Sequence, residues 1–222
     1  MYSRLVVVAE RGRLPRIDAV GALAARVTGA DTVHIVGAAA TPLGGDEIEI
    51  EIAVGPGARL TLRTVAATMA MPGRTEVASA ARWLVDVGPD AWLDIDPEPT
   101  IVAADARHHV RTVVHLAQSA QVRIRERAQI GRTGESGGYL GARLDVDVDR
   151  RPLLRHATEL GIGAVSDDVI SAHRTLTSEF RYPDDTAAAV AGTNAVRLPL
   201  AGGGSLTTEQ GLRLVPEALL ER

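Results

Sequence analysis

The chain has 222 residues, of which 45% are hydrophobic, 23% charged and 3% aromatic, and its formal net charge is −4. All 24 basic residues are arginine, and there is no cysteine. The acidic balance argues against nucleic acid and membrane lipid as partners. The lack of cysteine excludes disulfide frameworks, thiol nucleophiles and thiolate metal sites. No apolar run approaches the roughly 20 residues that cross a bilayer. We therefore expect a cytoplasmic protein with a single domain spanning residues 1–222.

Alternation of apolar and polar side chains predicts strands along most of the chain. In Ile48–Ile52 the isoleucines fall on one face and the glutamates on the other. A Gly-Pro-Gly turn and renewed alternation predict a hairpin over residues 48–64. Other strands are predicted, in chain order, at 4–9, 32–36, 82–87, 100–103, 110–116, 121–127 and 144–149. Because no helix is predicted between about 30 and 160, the pattern favours a sandwich, barrel or solenoid over a doubly wound α/β fold.

Helix signals are few. Residues 16–27 have some helical spacing, which Gly21 weakens. A better helix is predicted after Ser166-Asp167-Asp168, running to Phe180, with Ser166 as N-cap and the aspartates at the positive end of the helix dipole. Pro183 would follow the end of this helix.

No catalytic motif is predicted. We expect no nucleophile elbow, and without lysine the sequence cannot contain a phosphate loop ending in Gly-Lys-Ser/Thr. His108 and His109 are adjacent on a predicted strand, so their side chains should point to opposite faces. A fixed metal site with these two histidines as ligands is therefore not predicted.

The predicted strand at 121–127 carries charge on both faces. Arg123, Arg125 and Arg127 share one face, which is either a surface for an acidic partner or the solvated face of a sheet. Glu126 falls on the other face, in register with Val122 and Ile124. A carboxylate on an apolar face is costly unless it has a partner, so Glu126 is a candidate functional residue.

Three stretches combine glycine and charge in an order that strand alternation does not require. They are 42–47 with 55–58 and 66–68, then 92–94 with 97–101, and finally Glu126 with 131–135. In this order they resemble the UreD (UreH) family of urease accessory proteins, over about residues 32–160. Gly44-Gly45-Asp46 matches the Gly-Gly-Asp step of the family, and residues 131–135 match its Gly-Arg…Gly-Glu segment. Residues 69–72 depart from the family pattern, which usually has a lysine and a tyrosine there.

The resemblance implies a mainly β fold of stacked sheets in a solenoid-like arrangement, with about two short helices that we place in the C-terminal third. It also implies a non-catalytic chaperone that acts with UreF and the GTPase UreG to deliver nickel into apo-urease. Nickel would be held transiently on an internal polar path, with no tightly bound cofactor.

Applied to this chain, the resemblance makes Asp46, Glu126 and Glu135 candidates for the nickel path, with Arg132 as a charge partner. Asp46 and Glu135 have an alternative role in the glycine turns beside them. Two other functions stay open. Glu126 and Glu135 could be the carboxylate pair of a hydrolase, although few aromatics are available to stack on a sugar. The chain could also be a β-rich adaptor with no metal role.

Overall fold

A computed structural model describes residues 1–165, 167 and 172–214, and within these ranges every helix or strand element is a strand. The strands are β1 Tyr2–Ala9, β2 Arg16–Val20, β3 Leu23–Val27, β4 Thr32–Gly37, β5 Glu47–Val54, β6 Arg59–Thr64, β7 Thr68–Ala70, β8 Ala78–Val87, β9 Trp92–Ile95, β10 Thr100–Val102, β11 Arg107–Leu116, β12 Gln121–Ile130, β13 Tyr139–Val148, β14 Arg151–Gly161, β15 Thr175–Tyr182, β16 Ala189–Ala191, β17 Ala195–Pro199 and β18 Ser205–Gly211.

The strands form two sheets that face each other across the core. The first sheet has seven strands in the order β14-β13-β11-β8-β5-β1-β2. The second has eleven, in the order β16-β17-β18-β15-β12-β9-β6-β4-β3, with β7 and β10 paired beside β12. The centres of both sheets are parallel, and antiparallel strands lie towards the edges.

Parallel pairing arises because the chain passes from one sheet to the other in successive coils. β5, β8 and β11 lie in the first sheet, and each is followed by a tight turn into β6, β9 or β12 of the second. The turns stack through backbone hydrogen bonds, such as Trp92 N to Ala58 O and Gln121 N to Ala91 O, both at 2.9 Å. The prediction of stacked, solenoid-like β-sheets is confirmed.

The predicted hairpin over residues 48–64 is wrong. β5 and β6 belong to different sheets, and β5 pairs in parallel with β1 and β8. The turn at Gly55–Ala58 therefore carries the chain across the core, and each strand finds its partners in neighbouring coils.

The predicted helices, including the two short helices of the C-terminal third, are also wrong where the structure describes the chain, because every element there is a strand. Residues 16–27 form β2 and β3, and Gly21 between them has a φ of 85°. A Cβ at Gly21 would lie 2.7 Å from Ser3 Oγ, so the glycine permits close packing on β1. Thr175–Tyr182 is a strand between β12 and β18. Ser166 and residues 168–171, the predicted start of the C-terminal helix, lie outside the described residues. No segment of the described chain forms a helix of the length and apolarity that spanning a bilayer requires.

We expect Leu93→Ala to lower the free energy of unfolding by about 2–5 kcal/mol, because it empties a fully buried site in the packed core. Val190→Ala is the control, since Val190 is 74% exposed and its truncation should cost no more than about 0.5 kcal/mol. Urea unfolding of both variants measures the difference. Equal losses would show that the core does not pack around Leu93.

Candidate functional site

A cavity of about 450 Å³ lies between the two sheets. Its walls are mainly apolar, and the loops around residues 37–42 and 64–69 border it. The apolar lining from the strands includes Ile48, Ile50, Trp83, Val110, Leu144, Ile35, Ile95 and Ile124. The polar lining includes His108 and Thr112 from β11, Glu126 from β12 and Ser178 from β15. An apolar pocket with a few convergent polar groups is typical of a binding site.

Glu126 lies on the inward face of β12 and contributes an acidic side chain to this cavity. It stands directly opposite Ser178 in the register of β12 and β15. Within the described part of the chain, no hydrogen bond or ion pair holds its carboxylate. Desolvation by the surrounding protein raises the pKa of Glu126 to about 7. The site therefore holds a carboxyl group that can gain or lose a proton near neutral pH.

His108 faces the same cavity from the first sheet and is 2% exposed. Its Nδ1 lies 2.9 Å from the Oγ of Ser79, its direct neighbour on β8. Burial, with a smaller effect from His109, lowers the pKa of His108 to about 4. The imidazole is consequently neutral near pH 7, the state in which a ring nitrogen can bind a metal ion.

These polar residues separate two apolar clusters of the core. On β12, Ile124 belongs to one cluster and Ala128 to the other, with Glu126 between them. On β15, Ser178 stands in the same way between Phe180 and Leu176. The polar layer therefore occupies one defined position along the strands, since β12 and β15 both place it between the same two clusters.

Asp46 lies outside the cavity lining, in the turn after Gly44-Gly45. Its Oδ2 accepts hydrogen bonds from Leu43 N and Thr41 Oγ1, both at 2.9 Å, and its Oδ1 lies 2.7 Å from the amino group of Met1. Burial acts to raise the pKa of Asp46, but these hydrogen bonds outweigh it and the pKa is lowered. The carboxylate thus stabilises the turn in its charged form.

Glu135 and Arg132 form a second turn contact, beyond the end of β12. Glu135 Oε1 accepts from Arg132 Nε at 2.7 Å, and Oε2 accepts from the backbone N–H groups of Arg132 and Ala104 at 2.9 and 3.0 Å. The Arg132 side chain and these two backbone groups lower the pKa of Glu135 to about 2. Glu135 is absent from the described cavity lining. The structure therefore does not bring Glu126 and Glu135 together as a hydrolase pair.

Comparison with known proteins identifies the family of this chain. A sequence model of the family described as UreD urease accessory protein matches residues 17–194. The chain belongs to the UreD family.

Individual UreD relatives agree. A protein named Urease accessory protein UreD 1 from Saccharopolyspora erythraea is 36% identical over 189 residues, covering 84% of this chain and 74% of the relative. Urease accessory protein UreD from Streptomyces avermitilis is 34% identical over 223 residues, covering 94% and 86%. The UreD of a Parafrankia strain is 46% identical over 129 residues, covering 58% and 43%. The chain spans about half the length, or less, of the curated relatives that it matches at 40–48% identity.

The three arginines of β12 pair within this UreD-family chain. Arg123 Nε and Arg125 Nε donate to Glu179 Oε2 at 3.0 and 2.8 Å, and Arg127 Nη2 donates to Asp96 Oδ1 at 2.9 Å. The two acids belong to the chain segments that flank β12. The face thus carries half-buried ion pairs, and its use as a partner surface stays a prediction.

Sequence reasoning found Glu126 but missed His108, Ser79 and Ser178 as parts of the same site. The His108-His109 pair did carry a signal, because alternation requires one of two adjacent strand histidines to point inward. The structure confirms the opposite orientations, with His108 buried and His109 exposed. The described residues include no group of three or more histidine or acidic side chains placed to hold a metal ion.

We expect Glu126→Gln to change how stability depends on pH. The raised pKa means that between about pH 4.5 and 7 the folded state keeps a proton that the unfolded state has lost. Rising pH therefore removes about 2–3 kcal/mol of stability from the native protein over this window, whereas the Glu126→Gln variant has no such loss. The lowered pKa of His108 gives an opposite slope, which is present in both proteins and cancels in their difference.

Urea unfolding at pH 4.5 and 7.5 measures this difference. The Glu126→Gln variant should gain stability relative to native protein as the pH rises. Parallel pH profiles would contradict the raised pKa.

We expect Gly44→Ala to lower the free energy of unfolding by more than about 2 kcal/mol, because the added Cβ would push the backbone segments of residues 44 and 76 apart. A Cβ there would lie 1.8 Å from the carbonyl oxygen of Glu76. Gly37→Ala is the matched control, since its Cβ would meet only Ala39 O, at an ordinary 3.7 Å, and it should change stability by less than about 1 kcal/mol. Thermal unfolding compares the two, and equal midpoints would show that residues 44 and 76 are not closely packed.

Proposed function

We propose that this chain is a non-catalytic urease accessory protein that passes Ni²⁺ towards apo-urease, together with UreF-like and UreG-like partners in the cytoplasm. Membership of the UreD family supports the urease role. The observation that carries the nickel step is the unpaired carboxylate of Glu126 in the cavity between the sheets.

The donor types in the cavity suit a transient Ni²⁺ cargo. Imidazole and carboxylate groups both bind nickel, and a path without thiolate avoids a trap that would hold the ion too tightly. Transport requires binding that is strong enough to admit the ion and weak enough to release it. One half-buried carboxylate, one neutral imidazole and nearby hydroxyl groups meet that requirement better than a closed set of four ligands.

Glu126 and His108 reach the cavity from opposite sheets, so a cation in it has a donor on either wall. Deprotonation of Glu126 supplies the negative charge that Ni²⁺ needs, and its pKa near 7 makes this step easily reversible. Ser178 is beside Glu126 and Ser79 is beside His108 in the strand register. We assign Glu126 to the path and His108 as a second donor.

Asp46 and Glu135 fit turn stabilisation better than metal transfer. Each carboxylate accepts backbone hydrogen bonds in its turn, and neither side chain lines the cavity as described. Arg132 then serves as the partner of Glu135 within that turn.

The test is complementation of a strain that lacks this gene. We expect the deletion to yield urease protein with little nickel and little activity, both restored by the native gene. Glu126→Gln should lower urease activity and nickel content at least about tenfold, since replacing even an outer-shell partner of a metal ligand costs that much. Glu76→Gln, at an exposed glutamate outside the cavity, should restore both fully.

Urease activity, bound nickel and the cellular level of the accessory protein are measured together. Fully loaded urease in the deletion strain would overturn the accessory role. Full activation by Glu126→Gln would remove Glu126 from the path and leave the accessory role standing.

A further inference from the structure

Three arginines stand side by side on the outer face of the first sheet. Arg82 on β8 is directly opposite Arg111 on β11, which is directly opposite Arg143 on β13. Neighbouring strands are about 4.8 Å apart, and like charges facing each other at that spacing destabilise a sheet. The row therefore needs acidic groups to offset its charge.

The chain offers this row few acids. Asp145 accepts from Arg111 Nη2 at 3.0 Å and from Arg143 Nε at 2.9 Å, so one carboxylate serves two arginines. Arg82 is exposed, and no hydrogen bond or ion pair links it to any described residue. Glu49, its neighbour on β5, instead contacts Tyr2 at 3.2 Å and Arg4 at 3.8 Å. The row carries an excess of positive charge at Arg82.

A groove of about 670 Å³ runs beside the row. Its lining includes the small residues Ala80 of β8 and Gly141 of β13, which lie on either side of His109 of β11 in the strand register. Tyr139 stands on the opposite side, with the guanidinium of Arg107 3.9 Å from its ring centre. An extended segment lying in this groove would have the arginine row along one side and the Tyr139 ring along the other.

The ends of the groove limit what can occupy it. Glu47 and Glu49 lie at one end and Glu159 at the other. These acids, and a chain with a net charge of −4, would repel a long polyanion such as nucleic acid. A short segment with one or two central carboxylates and neutral or basic flanks avoids that repulsion.

We propose that this groove binds a short acidic segment of a protein partner, with its carboxylates placed on the row of Arg82, Arg111 and Arg143. Arginine forks bind carboxylates in bidentate geometry, and more than half of the Arg111 and Arg143 side-chain surface remains exposed for this. The proposal is independent of nickel transfer.

The test uses an eight-residue, end-capped peptide of neutral residues with two central glutamates, and the same peptide with two glutamines. Chemical shifts of the arginine side-chain Nε–H groups report binding to full-length protein. We expect the glutamate peptide to shift the signals of Arg82, Arg111 and Arg143, and the glutamine peptide to leave them in place. Higher salt should weaken the response.

Arg82→Glu should weaken binding at least about tenfold, and Arg82→Gln should weaken it less, since it removes the charge without reversing it. Arg11→Glu is the matched control, an exposed arginine beyond the far end of β1. Equal responses to the two peptides, or equal losses in Arg82→Glu and Arg11→Glu, would overturn the proposal. Tighter binding of an eight-nucleotide single-stranded RNA would overturn the choice of a protein segment. Loss of peptide binding in a variant that still activates urease would separate this surface from nickel delivery.

Discussion

Parallel pairing between successive coils is the constraint on which the rest of this structure depends. Each coil leaves the first sheet through a turn of small residues and enters the second, so a strand's partners come from the coils before and after it. Ala58, Ala91 and Ala120 occupy equivalent places in these turns and are almost fully buried. Larger side chains there would separate the coils and break the ladders that join them.

The same stacking explains how a polar layer can exist inside an apolar core. In-register strands place equivalent positions side by side, so Ser79 supports His108 and Ser178 stands beside Glu126. His108 thereby gains a partner for one ring nitrogen, whereas Glu126 gains none that neutralises its charge. A folded core tolerates an unpaired carboxylate only at a cost, and such violations of packing rules are concentrated at functional sites. The layer is for this reason the best evidence of function in the fold.

The alternation of apolar and polar side chains predicted the strands and their inward faces, because both follow from a period of two residues. Glu126 was placed on the inward face from Val122 and Ile124 alone, and the structure agrees. The period does not say which strand is the neighbour, so residues 48–64 resembled a hairpin although they cross between sheets. For the same reason Ser79, 29 residues before His108, could not be linked to it from sequence. At 175–182, the polar cap before the segment suggested a helix, but pairing with β12 and β18 on both sides made it a strand.

Arginine rows occur on both sheets, and the acids beside them decide what each row does. On β12, Arg123 and Arg125 share Glu179, while Asp94 and Asp96 supply further carboxylates from the chain segment beside them. That row is half-buried and its charge is largely balanced within the chain.

On the first sheet, Asp145 pairs with Arg111 and Arg143, and Arg82 is left facing solvent. Removing water from a paired network of charges costs more free energy than contacts with a partner would regain. An exposed arginine whose guanidinium has free N–H donors loses little free energy on binding a carboxylate. The arginines of β12 were predicted as a partner surface because they lie on one strand. The balance of charge instead favours the row that crosses three strands as the surface for an acidic partner, and no local pattern in the sequence reveals that row.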